Sequence, residues 1–183
     1  MMTETKNKKE LHLWNFIELS DFVTLGGLIT ALLSIQQAIS GNLVIAFILL
    51  AVCIPFDHLD GKVARWTGKT NRIFGEVIDS LSDTVSYLVA PAVVVYLAGF
   101  NHPAEMVLLA CFVSVGILRL ARFSCIKEFQ HLTVGMPVTY NGLLVPLFFA
   151  AQQLFGLDQQ IVFFIGLLFS TLAMGSTLGL PEI

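Results

Sequence analysis

Charge is what this chain has least of. Lysine, arginine, aspartate and glutamate make up 13% of its 183 residues, against a hydrophobic fraction of 56% and a mean hydropathy of +0.80. That is far from the mixed surface of a soluble domain and places the chain in a lipid bilayer. Basic residues are fewer than acidic ones, ten against thirteen, and the net charge of −3 argues against a nucleic-acid binder, whose footprint is a basic face. The three cysteines, Cys53, Cys111 and Cys125, sit in apolar stretches without CxxC spacing. They read as buried small hydrophobes rather than as metal ligands or a disulfide framework. No Pro/Ser-rich linker, low-complexity tract or repeat divides the sequence, so one helical domain is expected.

What the chain does have is long apolar runs. A bilayer-crossing helix needs roughly 20 apolar residues, and six segments approach that length: about 22–40, 43–60, 74–99, 103–126, 140–157 and 159–180. The expected fold is an all-α integral membrane protein. Residues 22–183 form a six-transmembrane-helix bundle, and residues 1–21 form a cytoplasmic tail and a short amphipathic juxtamembrane segment. In that segment Leu13, Trp14, Phe16, Ile17 and Leu19 suit the headgroup layer, and Ser20 or Asp21 caps the first span. Cytoplasmic loops are enriched in Lys and Arg. With the N-terminus inside, Lys6, Lys8, Lys9, Lys62, Arg65, Lys69, Arg72, Arg119, Arg122 and Lys127 all fall on one side. The opposite turns, around Gly41-Asn42, Phe100-Asn101-His102 and Asp158, carry no basic residue. Removing the first span as a cleaved leader would invert that asymmetry. Both termini are therefore expected in the cytoplasm.

The little charge present is gathered in FDHLDGKVARWTGKTNRIFGEVIDSLSD, residues 56–83. Asp57 and Asp60 are three apart and Asp79 and Asp83 four apart, so on helices each pair shares a face. Gly61, Gly68 and Asn71 allow the chain to reverse between the pairs. Four converging carboxylates repel one another and need a cationic partner. Lys62, Arg65, Lys69 and Arg72 are one source. An oxygen donor set without histidine or thiolate also suits Mg²⁺, Mn²⁺ or Ca²⁺ better than zinc or copper. Magnesium sites share their ion with substrate phosphates, and paired ions serve phosphoryl transfer. Gly61 and Ala64 remove bulk beside the acids, and Arg65 offers a fork for phosphate oxygens. A solvated cluster of ion pairs is the bland alternative. A cation transporter would spread its acids through the membrane or repeat them in an inverted half, whereas these cluster at one cytoplasmic edge.

Residues 57–83 resemble the signature of the CDP-alcohol phosphatidyltransferases: Asp57, Asp60, Gly61, Ala64, Arg65, Gly75, Asp79 and Asp83 match it in order. The spacer between Arg65 and Gly75 is one residue longer than the family's usual one. The resemblance implies transfer of a phosphatidyl group from a CDP-linked lipid such as CDP-diacylglycerol to an alcohol, with release of CMP. It implies that Asp57, Asp60, Asp79 and Asp83 hold a divalent metal, Mg²⁺ or Mn²⁺ and as a pair of ions, with Asp83 also the general base. It further implies that Gly61, Ala64, Arg65 and Gly75 border the CDP-lipid, and that the protein is a homodimer in the cell membrane with its site at the cytoplasmic face.

Within the family, DSLSDTVSYLVAPA (79–92) and ILRLARF (117–123) are similar to the corresponding runs of phosphatidylserine synthases, which makes L-serine the favoured acceptor. Glycerol phosphate, inositol phosphate, inositol or another amino alcohol are the alternatives. Arg119 and Arg122, three apart on one helix, are candidates for the acceptor carboxylate or a lipid phosphate, or are membrane anchors. Asn141 in GMPVTYNG reads as a helix cap ahead of an acceptor-pocket residue. His58 is expected to point away from the acids, Trp14 and Trp66 to sit in the aromatic belt, Pro91 to kink span three, and Glu76 to favour a helix dipole.

Overall fold

The computed structural model describes residues 12, 16–68, 72–126 and 135–176. The tail, Leu13, Trp14, Lys69, Asn71 and Lys127 lie outside them, as does the side chain of Arg72. The described residues are helical and contain no strand. In chain order they form α1 (Leu19–Ile39), α2 (Leu43–Thr67), α3 (Arg72–Asp83), a π turn (Thr84–Val89), α4 (Ala90–Leu97), α5 (Pro103–Ile126), a 3₁₀ turn (Val138–Tyr140), α6 (Asn141–Phe155) and α7 (Gln159–Gly175). Four rods are long and apolar enough to cross a bilayer: α1, α2, Ile73–Leu97 and Pro103–Cys125. The fifth and sixth expected spans are shorter than the sequence implied, 15 residues in α6 and 17 in α7. Gly156, in the left-handed conformation at φ 61°, ends α6. Asp158 starts α7 by accepting from the Ile161 N–H at 3.0 Å, a short-range N-cap that fixes where the helix begins.

Short turns make neighbouring rods antiparallel, so the bundle has two distinct ends. At one end the Phe47 and Phe149 rings stack 4.1 Å apart, with Phe163 6.0 Å from Phe47 and Phe100 edge-on to Phe163. Offset aromatic packing of this kind ties α2, α6 and α7 to the turn after α4. Gln159 closes that end by donating to the Ala98 carbonyl. Lys62, Arg65, Arg119 and Arg122 all lie near the other end, at the C-terminal turns of α2 and α5. Outward faces carry Ile29, Ile48, Val107, Leu118, Leu147 and Leu172, the apolar surface that lipid tails cover. Cys53 is buried as expected; Cys111 and Cys125 are not, and stand on the outer face of α5.

Several local expectations change. The first cap is Glu18, not Ser20 or Asp21. Asp21 sits at the third helical position and accepts from the Glu18 N–H at 2.9 Å, completing a capping box, which leaves Ser20 free to face inward. Pro91 acts through the turn before it rather than by a simple kink. Lacking an N–H, it cannot bond the carbonyl one turn back, and the chain winds wider so that the Ala90 N–H reaches the Val85 carbonyl five residues away. The wide turn buries three successive residues, Ser86, Tyr87 and Leu88, which a regular helix face does not do. Glycines opposite make the room: a Cβ on Gly142 would stand 2.7 Å from the Tyr87 ring, and one on Gly116 would collide with Leu88. Asn141 is no cap. It is the first residue of α6, fully buried, and donates to the Met174 sulfur at 3.4 Å. Replacing Gly142 by Ala should therefore lower stability by about 1–3 kcal/mol through overpacking, seen as a lower thermal midpoint of the detergent-solubilised protein.

Candidate active site

The end opposite the aromatic stack holds the acids. Asp57 comes from the second half of α2, and Asp79 and Asp83 come from α3, where their four-residue spacing puts both on one side. One carboxylate oxygen from each of Asp57, Asp79 and Asp83 lies within 4.8 Å of the others. Two oxygens bound to one magnesium stand up to roughly 4 Å apart, twice a bond of about 2.1 Å. Modest side-chain movement brings the three around one hard cation, and the all-oxygen donor set suits Mg²⁺ or Mn²⁺.

Asp60 is set apart from that trio. It is turned toward α1 and buried to 9% exposure, with its Oδ2 accepting from the Thr24 hydroxyl at 2.6 Å. Its charge still acts on Asp57 and Asp83. The four acids thus form a trio and a flanking member rather than a square. Asp60 and Asp79 form part of the wall of an open cavity of about 520 Å³, whose other lining residues include Gly61, Ala64, Arg65 and Gly75. The volume lies inside the roughly 300–1,000 Å³ of small-molecule sites. Gly61 leaves open space: among the described residues a Cβ there would meet only the Arg65 Nη1, at 3.7 Å. A cavity of small residues with one guanidinium on its rim and carboxylates in its wall can hold a phosphorylated ligand whose charge a cation bridges.

Residues 17–175 match the sequence model of the CDP-alcohol phosphatidyltransferase family. The chain belongs to that family. Among curated proteins it is 36% identical over 137 residues to an archaetidylserine synthase of Methanothermobacter thermautotrophicus, covering 74% of this chain and 59% of that protein. It is 37% identical over 154 residues to a CDP-diacylglycerol–serine O-phosphatidyltransferase of Methanocaldococcus jannaschii, covering 83% and 70%. A protein of the same name from Helicobacter pylori is 35% identical over 128 residues, covering 68% of this chain and 54% of that protein. Against the first and third of these, the chain spans little more than half of the relative's length.

Other residues of this family member divide between the site and its supports. Arg119 is buried to 7% exposure, its guanidinium lies 5.4 Å from the Phe123 ring centroid, and its charge acts on Asp83. Arg122 points elsewhere. Its Nη2 lies 3.0 Å from where a Cβ on Gly135 would stand, a point also close to the Met174 and Ser176 carbonyls. Gly135 has φ +86°, so a residue with a side chain is excluded there by conformation and by space together. His58 is exposed and its ring nitrogen faces the Ile54 carbonyl of its own helix, away from the trio. Trp66 is 88% exposed at the same end. Glu76, expected only to favour a helix dipole, lines the cavity with Asp79.

The sequence reading located α1 as the first span but assigned none of its residues to the site. Ser20 and Thr24 line the cavity, and the one available signal was a run of hydroxyls, Ser20, Thr24, Thr30 and Ser34, along one side of an otherwise apolar helix. Substituting Asp79 by Asn should weaken Mn²⁺ binding by more than about 100-fold, the upper end of what loss of a supporting group one shell further out causes. Titration of the free Mn²⁺ paramagnetic signal measures it.

Proposed function

We propose that this chain transfers a phosphatidyl group from CDP-diacylglycerol to the hydroxyl of a small alcohol, L-serine by preference, releasing CMP. The observation that carries the reading is the single cavity shared by Gly61, Ala64, Arg65 and Gly75 with Asp60 and Asp79, opening beside the Asp57, Asp79 and Asp83 trio. Serine is favoured because the relatives quoted above are named for serine transfer. The same chemistry with glycerol phosphate, inositol phosphate, inositol or another amino alcohol is the alternative. A cation transporter has no support from acids gathered at one end of the bundle.

In this reading Asp57, Asp60, Asp79 and Asp83 hold one or two divalent cations, Mg²⁺ or Mn²⁺. Such a cation, when bound, neutralises the pyrophosphate and improves CMP as a leaving group. Asp83 accepts the proton of the acceptor hydroxyl while that oxygen bonds to the lipid-side phosphorus and the bond to the CMP oxygen breaks. Gly61, Ala64 and Gly75 keep bulk away from the cytidylyl portion, and Arg65 bonds its phosphate oxygens. Arg119 serves the acceptor carboxylate or a lipid phosphate from within electrostatic reach of Asp83, and Arg122, turned toward Gly135 and the end of α7, serves a lipid phosphate or anchors the helix end. All six rods cross the membrane, with α6 and α7 the shortest. Residues 22–183 are one domain, residues 1–21 are a cytoplasmic tail and interfacial segment, both termini and the site face the cytoplasm, and the protein works as a homodimer.

Purified protein given CDP-diacylglycerol, Mg²⁺ or Mn²⁺ and a panel of alcohols should release CMP only with an acceptor, and fastest with serine. No acceptor-dependent CMP with any alcohol sinks the enzyme reading, and preference for another alcohol sinks the serine assignment alone. Asp83→Asn should abolish turnover yet keep CDP-lipid binding. Arg119→Ala should raise the apparent KM for the acceptor about tenfold or more, the loss expected for one charge-assisted bond.

A further inference from the structure

The least expected contact at the site comes from α1, a helix with no residue in the family signature. Thr24 Oγ1 lies 2.6 Å from Asp60 Oδ2 and 3.2 Å from the Ser20 carbonyl. A hydroxyl has one proton to give, and the shorter contact is in the range of charge-assisted O–H···O⁻ bonds. The proton therefore goes to Asp60. Thr24 is joined to the third wall as well, since its carbonyl accepts from the Ser82 hydroxyl at 3.4 Å, one residue before Asp83. One residue thus touches α1, α2 and α3 at the depth of the acids.

This contact needs α1 close to α2, and the sequence provides for that. A Cβ on Gly26 would stand 3.0 Å from the Phe56 ring, and one on Gly27 would stand 3.2 Å from the Phe56 Cβ. The Cys53 thiol reaches the Gly27 carbonyl at 3.6 Å. Paired glycines against a ring let the helix backbones approach, as small residues do in membrane bundles. The approach brings a short threonine side chain to a carboxylate 36 residues further along the chain.

We propose that Thr24 is a positioning residue for the divalent-cation site: its hydroxyl fixes the orientation of Asp60, so that the acid flanking the trio completes the ion's oxygen shell. Supporting groups that orient ligand side chains typically account for 10–100-fold in metal affinity. The proposal rests on the reading that the aspartates bind a divalent cation, and its test separates the two. Mn²⁺ is titrated into the purified, detergent-solubilised full chain without CDP-lipid, and the free ion is followed by its paramagnetic signal. Thr24→Val keeps the shape and removes the hydroxyl. It should raise the Mn²⁺ dissociation constant about 10–100-fold, whereas Thr24→Ser should bind close to wild type. Thr24→Ala is read in the same way if the valine variant does not fold. Thr30→Val, which removes a buried hydroxyl bonded only to its own helix at the Gly26 carbonyl, should leave Mn²⁺ affinity unchanged. Turnover lost in Thr24→Val should return at high Mn²⁺. Wild-type affinity in the hydroxyl-free variants, a serine variant as weak as the valine one, or equal weakening by Thr30→Val overturns the positioning role and leaves the metal reading standing. Absence of Mn²⁺ binding by the wild type overturns both.

Discussion

The mutual repulsion of carboxylates at one end of an apolar bundle is the constraint around which this molecule is arranged. Two unit charges no more than 4.8 Å apart repel by roughly 3 kcal/mol or more at an effective dielectric of about 20. Three such pairs approach the whole folding stability of a typical domain, about 5–15 kcal/mol. Such repulsion is relieved by protonation or by a counter-charge, and on the proposed reading a hard cation shared with a phosphorylated ligand is that counter-charge. On that reading the same repulsion becomes affinity for cation and pyrophosphate together.

The rest of the fold frames that end while leaving it open. The aromatic stack of Phe47, Phe149, Phe163 and Phe100 closes the far end, where no polar ligand has to enter. Between the two, the π turn at Thr84–Val89 lets the rod carrying Asp79 and Asp83 bury Ser86, Tyr87 and Leu88 in succession, against glycines on α5 and α6 that leave space for them. At these four positions glycine matters for the distance between backbones. Gly26 and Gly27 set α1 against α2, and Gly116 and Gly142 set α5 and α6 against the π turn.

Membership of the CDP-alcohol phosphatidyltransferase family explains why the signature spans two helices and the turn between them. The proposed chemistry needs oxygen ligands from two directions and a clear space beside them, and a helical hairpin provides both. What differs from a plain reading of the signature is the contribution of other rods. Arg119 comes from α5 with its charge acting on Asp83, and Ser20 and Thr24 come from α1.

Much was legible from the sequence because the signals were local. Apolar run length located six helical rods, since a bilayer fixes how many residues a crossing needs. Three- and four-residue spacings placed Asp57 with Asp60 and Asp79 with Asp83, because helical period is a property of the chain itself. Small residues beside Arg65 marked the open cavity. What depended on distant parts of the chain was not legible. Whether Asp60 joins the trio or turns to Thr24 depends on how closely α1 approaches α2, a distance set by Phe56 meeting two glycines some thirty residues earlier. Asn141 looked like a cap until α7 placed Met174 beside it. The two arginines on α5 share a helix face in sequence, yet one acts on Asp83 and the other packs at the end of α7. By itself, then, the sequence determined the helices, the acids and the family. Only the tertiary structure decided which acid each neighbour orients, because orientation is fixed by contacts between helices, and spacing within one helix does not encode them.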